Sequence, residues 1–317
     1  MINVASGLPP NVVGTSVTVG TFDGVHRGHL DVIARLVRRA REKGLSSLAI
    51  TFDPHPLAVV NPAAAPPLLT VGSEKLEVLA ETGLDYLAVL DFTPELAALG
   101  AEEFVDDVLR SKFRMLDLLI GHDHGFGRER AGNAAVLQKL GAARGFTVDV
   151  VEPFAATGGR SVSSTAIRRA VAGGDLPLAA TLLGRPYAIA GTVVPGAQRG
   201  RALGFPTINL STPPAGKLLP PDGVYAVRVQ TPGGCYDGMM NLGPRPTFGD
   251  SERSVEVYLF DAEGDFYQQH VRVDVVKRLR DVRAFPSPQE LIAQIRRDDA
   301  EARSALTVAA AHGNLMG

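Results

Sequence analysis

With 317 residues, 45% of them apolar and 21% charged, the chain is long enough for two ordinary domains and apolar enough to fill their cores, which excludes global disorder. Lys and Arg number 32 against 34 Asp and Glu, a net charge of -2, so composition gives no general pull towards nucleic acid or an anionic membrane. The single cysteine, Cys235, cannot close an intrachain disulfide, and no apolar run approaches the roughly 20 residues of a bilayer span. The N-terminus carries no signal-peptide pattern, and a soluble cytoplasmic protein is expected.

Up to about residue 175, short apolar runs alternate with helical patterns. Ser16–Thr21, Leu48–Phe52, Tyr86–Leu90, Leu116–Ile120 and Thr147–Val151 lack a polar alternating face, as strands covered on both sides require. Between the first two, Leu30, Ile33, Ala34, Val37 and Ala40 recur at helical spacing opposite a row of arginines, and Gly44 supplies a stop. Asn133–Arg144 and Ser164–Val171 read as further helices. The alternation predicts an open, Rossmann-like parallel sheet with helices on both faces, whose ligands sit at the carboxyl ends of the strands.

Residues Gly20–His29, Gly-Thr-Phe-Asp-Gly-Val-His-Arg-Gly-His, occupy such an end and lead into the first helix. Backbone N–H groups and the helix dipole favour an anion there, and Gly20, Gly24 and Gly28 permit close backbone approach. His26 and His29, three apart, can face one ligand and donate to phosphate oxygens as charge grows in a transition state. Ser163, Ser164 and Thr165 place hydroxyls at a later helix start with Arg168 one turn on, a set suited to a triphosphate. His122-Asp123-His124 has metal-ligand character but no third ligand nearby.

The rhythm changes near Gly184–Pro186. Ala188–Val194, Gly223–Gln230, Tyr236–Asn241, Ser254–Asp261 and His270–Val276 alternate apolar with polar, which predicts an antiparallel sheet or small closed barrel. Gly191, Gly196, Gly200 and Gly204 punctuate a loop able to wrap phosphate oxygens. Thr207 and Asn209 follow on an extended segment, where both point to one side as hard neutral oxygen donors suited to Mg²⁺. Ser287 as N-cap, Pro288 and Glu290 open a terminal helix. The organisation expected is a module over 1–184, a second over 185–306 and a loose tail over 307–317.

The His26-x-x-His29 string after the first strand resembles the nucleotidyltransferase superfamily, and the fuller string is similar to the FMN adenylyltransferase module of bacterial bifunctional riboflavin kinase/FAD synthetases. Ile50–Pro56, Gly121–Gly127 and Val162–Arg168 match in order at strand ends. Gly204-Phe-Pro-Thr207-Ile-Asn209, Pro221–Tyr225, Asn241–Phe248 and Ser254–Phe260 resemble the riboflavin kinase module of the same family. The resemblance implies phosphorylation of riboflavin by ATP in the C-terminal barrel, with Thr207 and Asn209 on Mg²⁺ and Glu256 as catalytic base for the ribityl hydroxyl. It implies adenylylation of FMN to FAD in the N-terminal module, with His26, His29 and Arg168 stabilising charge and Gly20, Phe22, Asp23, Gly24, Gly28, Ser163, Ser164 and Thr165 about the nucleotide. Flavin contacts are implied at Phe52, Asp53, Asp123, Phe126, Asn241 and Arg245. Asp53 and His55 also read as turn residues set by Pro54 and Pro56. The sequence departs from the family at His124, at Gln268 where Gly is usual, and at Val282 where an acid is common. Since the histidine motif names no acceptor, a kinase joined to a transferase of different acceptor, or a non-catalytic flavin-binding regulator, stand as rival readings.

Overall fold

A computed structural model describes the chain apart from residues 122–124, 126, 128–131, 153, 157–159, 197–199, 201–202, 246–249 and 314–317, and gives the backbone alone for 155–156, 160–161, 244–245, 250–252 and 310–313. The chain divides into two compact units, Met1–Ser164 and Thr165–Gly317. Helices Ser164–Ala172 and Leu176–Leu183 thereby fall with the second unit, apart from Ser164 itself.

The first unit is a six-stranded sheet of β1 (Ile2–Asn3), β2 (Thr15–Val19), β3 (Ser46–Asp53), β4 (Tyr86–Asp91), β5 (Met115–Gly121) and β6 (Thr147–Val151). Their order is β1-β4-β3-β2-β5-β6 and every pairing is parallel. The order reverses between β2 and β5, which makes the crevice beyond their carboxyl ends the natural ligand position. Leu48 and Ile50 enter one core with Val17, Val19 and Phe113, while Ala49 between them faces another with Ile33, Leu36 and Leu87. Both faces are covered, and that is why the strands carry no polar stripe. The first helix, α1 (Arg27–Glu42), buries Ile33, Leu36, Val37 and Ala40, and Gly44 follows it at φ +65°. A short hairpin, β7 (Ala155–Ala156) with β8 (Arg160–Ser161), completes the strands of this unit.

At the opposite end of the sheet a charged cluster closes the layers. The carboxylate of Asp117 on β5, fully buried, accepts from Arg39 at 2.8 and 3.0 Å, Lys43 at 2.5 Å, Ser16 at 2.6 Å and also Thr147. Burial alone pushes this carboxyl up, but the hydrogen bonds from Arg39, Lys43, Ser16 and Thr147 outweigh it and hold the group well below the ordinary carboxylate range.

The second unit is a closed antiparallel barrel of β9 (Tyr187–Val194), β10 (Thr207–Leu210), β11 (Gly223–Thr231), β12 (Gly234–Arg245), β13 (Asp250–Leu259) and β14 (His270–Arg280). Neighbours run β10-β13-β12-β11-β14-β9, with β9 also pairing β10. The terminal helix, Pro288–Gly313, starts where Ser287 Oγ accepts the Glu290 N–H at 3.2 Å. It lays Ala302 and Leu306 on Ala226, Met239 and Phe260 of the barrel, and Asp298 accepts from Arg280 at 2.7 Å. The tail expected from residue 307 is instead helical through Gly313, because the turns before it are anchored by the buried Leu306. Gln268, where the resemblance leads glycine to be expected, has φ +61°.

Replacing Asp117 leaves Arg39 and Lys43 without their buried partner. D117N should lower stability by about 3 kcal/mol. Because the folded carboxyl is depressed, its contribution is present above the unfolded value near pH 4 and lost below it. Thermal unfolding between pH 6 and pH 3 should show a steeper loss in the natural chain than in D117N.

Candidate active sites in the two units

The loop between β2 and α1 makes a tight, buried turn. Phe22 at φ +45° and Val25 at φ +40° adopt a conformation that L side chains avoid, and both are buried. Asp23, only 1% exposed, holds the turn: its Oδ1 accepts from the N–H groups of Leu69 at 2.8 Å and Thr70 at 3.1 Å. The Gly24 N–H donates to Thr70 Oγ1 at 3.0 Å, and Ser164 Oγ donates to the Asp23 carbonyl at 2.9 Å. The side chain expected at a nucleotide is thus engaged in building the loop that would receive it.

His26 caps α1. Its Nδ1 accepts the His29 N–H at 3.3 Å, which in the neutral ring places the proton on Nε2. The His26 and His29 rings stack with centroids 3.6 Å apart and planes 13° from parallel, while Phe22 packs edge-on to His29 at 5.3 Å. A side chain on Gly28 would put its Cβ 3.3 Å from the His26 ring, and one on Gly20 would meet the Phe22 ring at 3.2 Å. Those glycines keep the aromatic stack closed. The product is a pair of imidazoles at a helix mouth beside the point where the strand order reverses, suited to an anion.

Other expected residues of this unit have mixed placements. Phe52 is buried and meets Phe92 edge-on at 5.2 Å, whereas Asp53 is exposed at the end of β3. His55 caps the helix Pro56–Val60, its Nδ1 accepting from the Leu57 N–H at 3.2 Å, which is the turn role. Ser163 and Ser164 are half-buried within this unit, while Thr165 and Arg168 lie in the second. Asp123, Phe126, His122 and His124 fall outside the described residues, as does the side chain of Arg245. Among the described residues no group of three His, Cys, Asp or Glu side chains could hold a metal ion.

In the barrel, strand register assembles the second constellation. Asn209 on β10 pairs with Glu256 on β13, and Glu256 pairs in turn with Asn241 on β12. Directly opposed residues share a face, so three chemically active side chains form one rung across three strands. One rung along, Thr207 pairs with Tyr258, which joins Phe205 and Phe260 edge-on at 5.5 Å each. Val255, Val257 and Leu259 are buried on the opposite face, as the alternation of this strand predicts.

Gly196 and Gly200 lie against the same residues. A Cβ on Gly196 would lie 2.1 Å from Asn209 Nδ2, and one on Gly200 would lie 2.4 Å from the Phe205 carbonyl and 3.3 Å from Thr207 Oγ1. A Cβ on Gly191 would meet Ser211 Oγ at 3.2 Å, and Gly204 turns at φ +85°. Only bare backbone fits over Thr207 and Asn209. Beside Thr207 a cavity of about 320 Å³ opens, lined by Val193, Ile208, Leu259, Phe266 and Tyr267 among others. Its walls combine these apolar and aromatic side chains with the polar Thr207 and Asp265.

Comparison with known proteins places these constellations in context. The FAD synthetase family model matches residues 9–166, and the riboflavin kinase family model matches residues 183–306. The bifunctional riboflavin kinase/FMN adenylyltransferase of Escherichia coli K12 is 41% identical over 291 residues, 92% of each chain. That of Pseudomonas fluorescens is 39% identical over 306 residues, 96% of this chain and 97% of the relative. A solved structure from Streptococcus pneumoniae, described as a macrolide-efflux protein, is similar at 31% identity and a TM-score of 0.81, covering 96% of this chain and 97% of its own. Among the described residues here, no helix is long and apolar enough to cross a membrane.

The close packing over Asn209 leads to a direct test. G196A should cost the second unit about 1–3 kcal/mol through overpacking. G204A, whose Cβ would meet nothing within 4 Å, should cost only about 1 kcal/mol from its positive φ. Denaturant unfolding of the two variants should rank them in that order.

Proposed function

The chain belongs to the bifunctional riboflavin kinase/FMN adenylyltransferase family, and from that premise we propose how its residues divide the chemistry. Its activities are the phosphorylation of riboflavin by ATP to give FMN and the adenylylation of FMN to give FAD; its substrates are small molecules. As sequence modules, 1–184 carries the adenylyl transfer and 185–306 the phosphorylation. The cytoplasm is the proposed compartment.

The observation that carries the kinase reading is the Asn209–Glu256–Asn241 rung beneath a glycine loop. The ribityl 5′-hydroxyl is a neutral nucleophile, and Glu256 is the group that accepts its proton as the oxygen attacks the γ-phosphorus of ATP and ADP leaves. Asn241, opposite Glu256, orients the flavin chain, with Arg245 further along the same strand. Thr207 Oγ1 and Asn209 Oδ1 fit Mg²⁺: both are hard oxygen donors, and Gly196 and Gly200 bring bare backbone against their side chains. The ion would neutralise phosphate charge when bound. Gly191, Gly196, Gly200 and Gly204 let loop N–H groups meet the phosphate oxygens.

In the first unit the nucleophile is the FMN phosphate, already anionic, which attacks the α-phosphorus of ATP and expels pyrophosphate. No base is required. His26 and His29 donate to oxygens whose charge grows in the transition state, and the N–H groups from Gly20 to Gly28 bind the nucleotide, with Phe22 and Asp23 setting their path. Ser163, Ser164, Thr165 and Arg168 are assigned to the triphosphate, and Phe52, Asp53, Asp123 and Phe126 to the flavin.

Incubation with riboflavin, ATP and Mg²⁺ followed by separation of flavins tests both halves. H29A should form FMN at the natural rate and FAD at least about 100-fold more slowly. E256Q should form FMN about 100-fold more slowly or worse, yet convert supplied FMN to FAD normally. FMN formation unaffected by E256Q would remove Glu256 as the base.

A further inference from the structure

None of the readings above gives Lys75 a part, yet it sits against the turn on which the histidines depend. It lies on the helix Ser73–Ala80, well separated in sequence from Gly20–His29. Its Nζ donates to the Thr21 carbonyl at 3.0 Å, and Thr51 Oγ1 donates to the same oxygen at 3.1 Å. Burial pushes the ammonium below the ordinary lysine value, and the carboxylates of Asp23 and Asp53 oppose that shift. Thr21 leads directly into Phe22, held at φ +45°, and the Phe22 ring packs edge-on to His29, which stacks on His26.

We infer that Lys75 is a positioning residue for adenylyl transfer, holding the Thr21 carbonyl so that Phe22 keeps His29 stacked on His26. The inference rests on the reading of this loop as the adenylyl-transfer site. Its physical basis is the cost of the arrangement. A carbonyl that already receives the Thr51 hydroxyl needs no ammonium to satisfy it, and an apolar side chain of similar length would fill the space without desolvating a charge. What the ammonium adds is a strong, directed bond to one oxygen at the start of a strained turn. The segment just before this helix supplies the Leu69 and Thr70 N–H groups that hold Asp23, so residues 69–75 clasp the loop at two points. A small displacement of the imidazoles from the phosphate would act on the rate of transfer more than on binding, since most of the substrate is gripped elsewhere.

The test uses the full chain with K75Q and K75R, measuring adenylyl transfer from ATP to supplied FMN, riboflavin phosphorylation in the same preparation, and thermal unfolding. K75Q should lower kcat for adenylyl transfer roughly 30- to 100-fold with KM for ATP and FMN within about threefold. K75R, which keeps charge and reach, should recover the rate to within about fivefold, and riboflavin phosphorylation should stay within about twofold in both. Adenylyl transfer by K75Q within twofold of the natural chain, a loss that K75R does not recover, a loss confined to KM, or unfolding of K75Q at the assay temperature would each overturn the inference. A natural chain that makes FMN but no FAD would instead overturn the reading of the site, and the inference with it.

Discussion

The backbone between Gly20 and His29 has to change from strand to helix within a few residues, and it does so through two buried non-glycine residues at positive φ. Each such residue costs on the order of 1–2 kcal/mol, more where the side chain is β-branched as at Val25. That cost is borne only because the surroundings over-determine the turn: Asp23 is bound by two backbone N–H groups, Gly24 by Thr70, and the Thr21 carbonyl by two donors. The imidazole stack follows from this constraint, because Phe22 in its strained conformation is what meets His29. The site in the first unit is therefore a property of the loop's anchoring as much as of the two histidines.

The barrel reaches a fixed geometry by another route. There the side chains proposed for the chemistry lie on strands, and register alone brings Asn209, Glu256 and Asn241 onto one rung. A slip of β13 by one residue would turn Glu256 to the interior and expose Val255 and Val257, so the hydrophobic core enforces the position of the polar rung. Glycines then contribute by absence. At Gly196 and Gly200 any side chain would strike Asn209 or the Phe205 carbonyl.

Much of this was legible in the sequence, for reasons that can be named. The parallel strands stood out because Leu48, Ala49 and Ile50 feed two different cores and leave no polar positions. The helix Leu176–Leu183 was missed although Asp175 caps its start and Gly184 closes it in the left-handed conformation, because its nearly all-apolar run has no amphipathic period to detect. The helical end of the chain was missed because the residues after Leu306 are small and carry no stop signal, while the packing that supports them comes from Ala226, Met239 and Phe260, distant in sequence. Among the proposed site residues, the histidines, Thr207 and Asn209 are singled out by residue type and spacing, and Glu256 by the family resemblance. Lys75 is not, since its part depends on a contact across 54 residues. Gln268, where the resemblance leads glycine to be expected, takes a positive φ that glycine adopts without strain.

The two sites also differ in what they offer a nucleophile, and the difference is chemical. A neutral hydroxyl must lose a proton to attack phosphorus, and the barrel presents a carboxylate, Glu256, between two amides. A phosphate monoester needs no base, and a free carboxylate beside it would repel it. In the first unit the acid within the loop, Asp23, is almost wholly buried and its Oδ1 is engaged by the Leu69 and Thr70 N–H groups, while the groups at the helix mouth are imidazoles. Turning that carboxylate inward braces the strained turn and leaves imidazoles as the groups at the helix mouth, which suits the meeting of two anionic substrates proposed there.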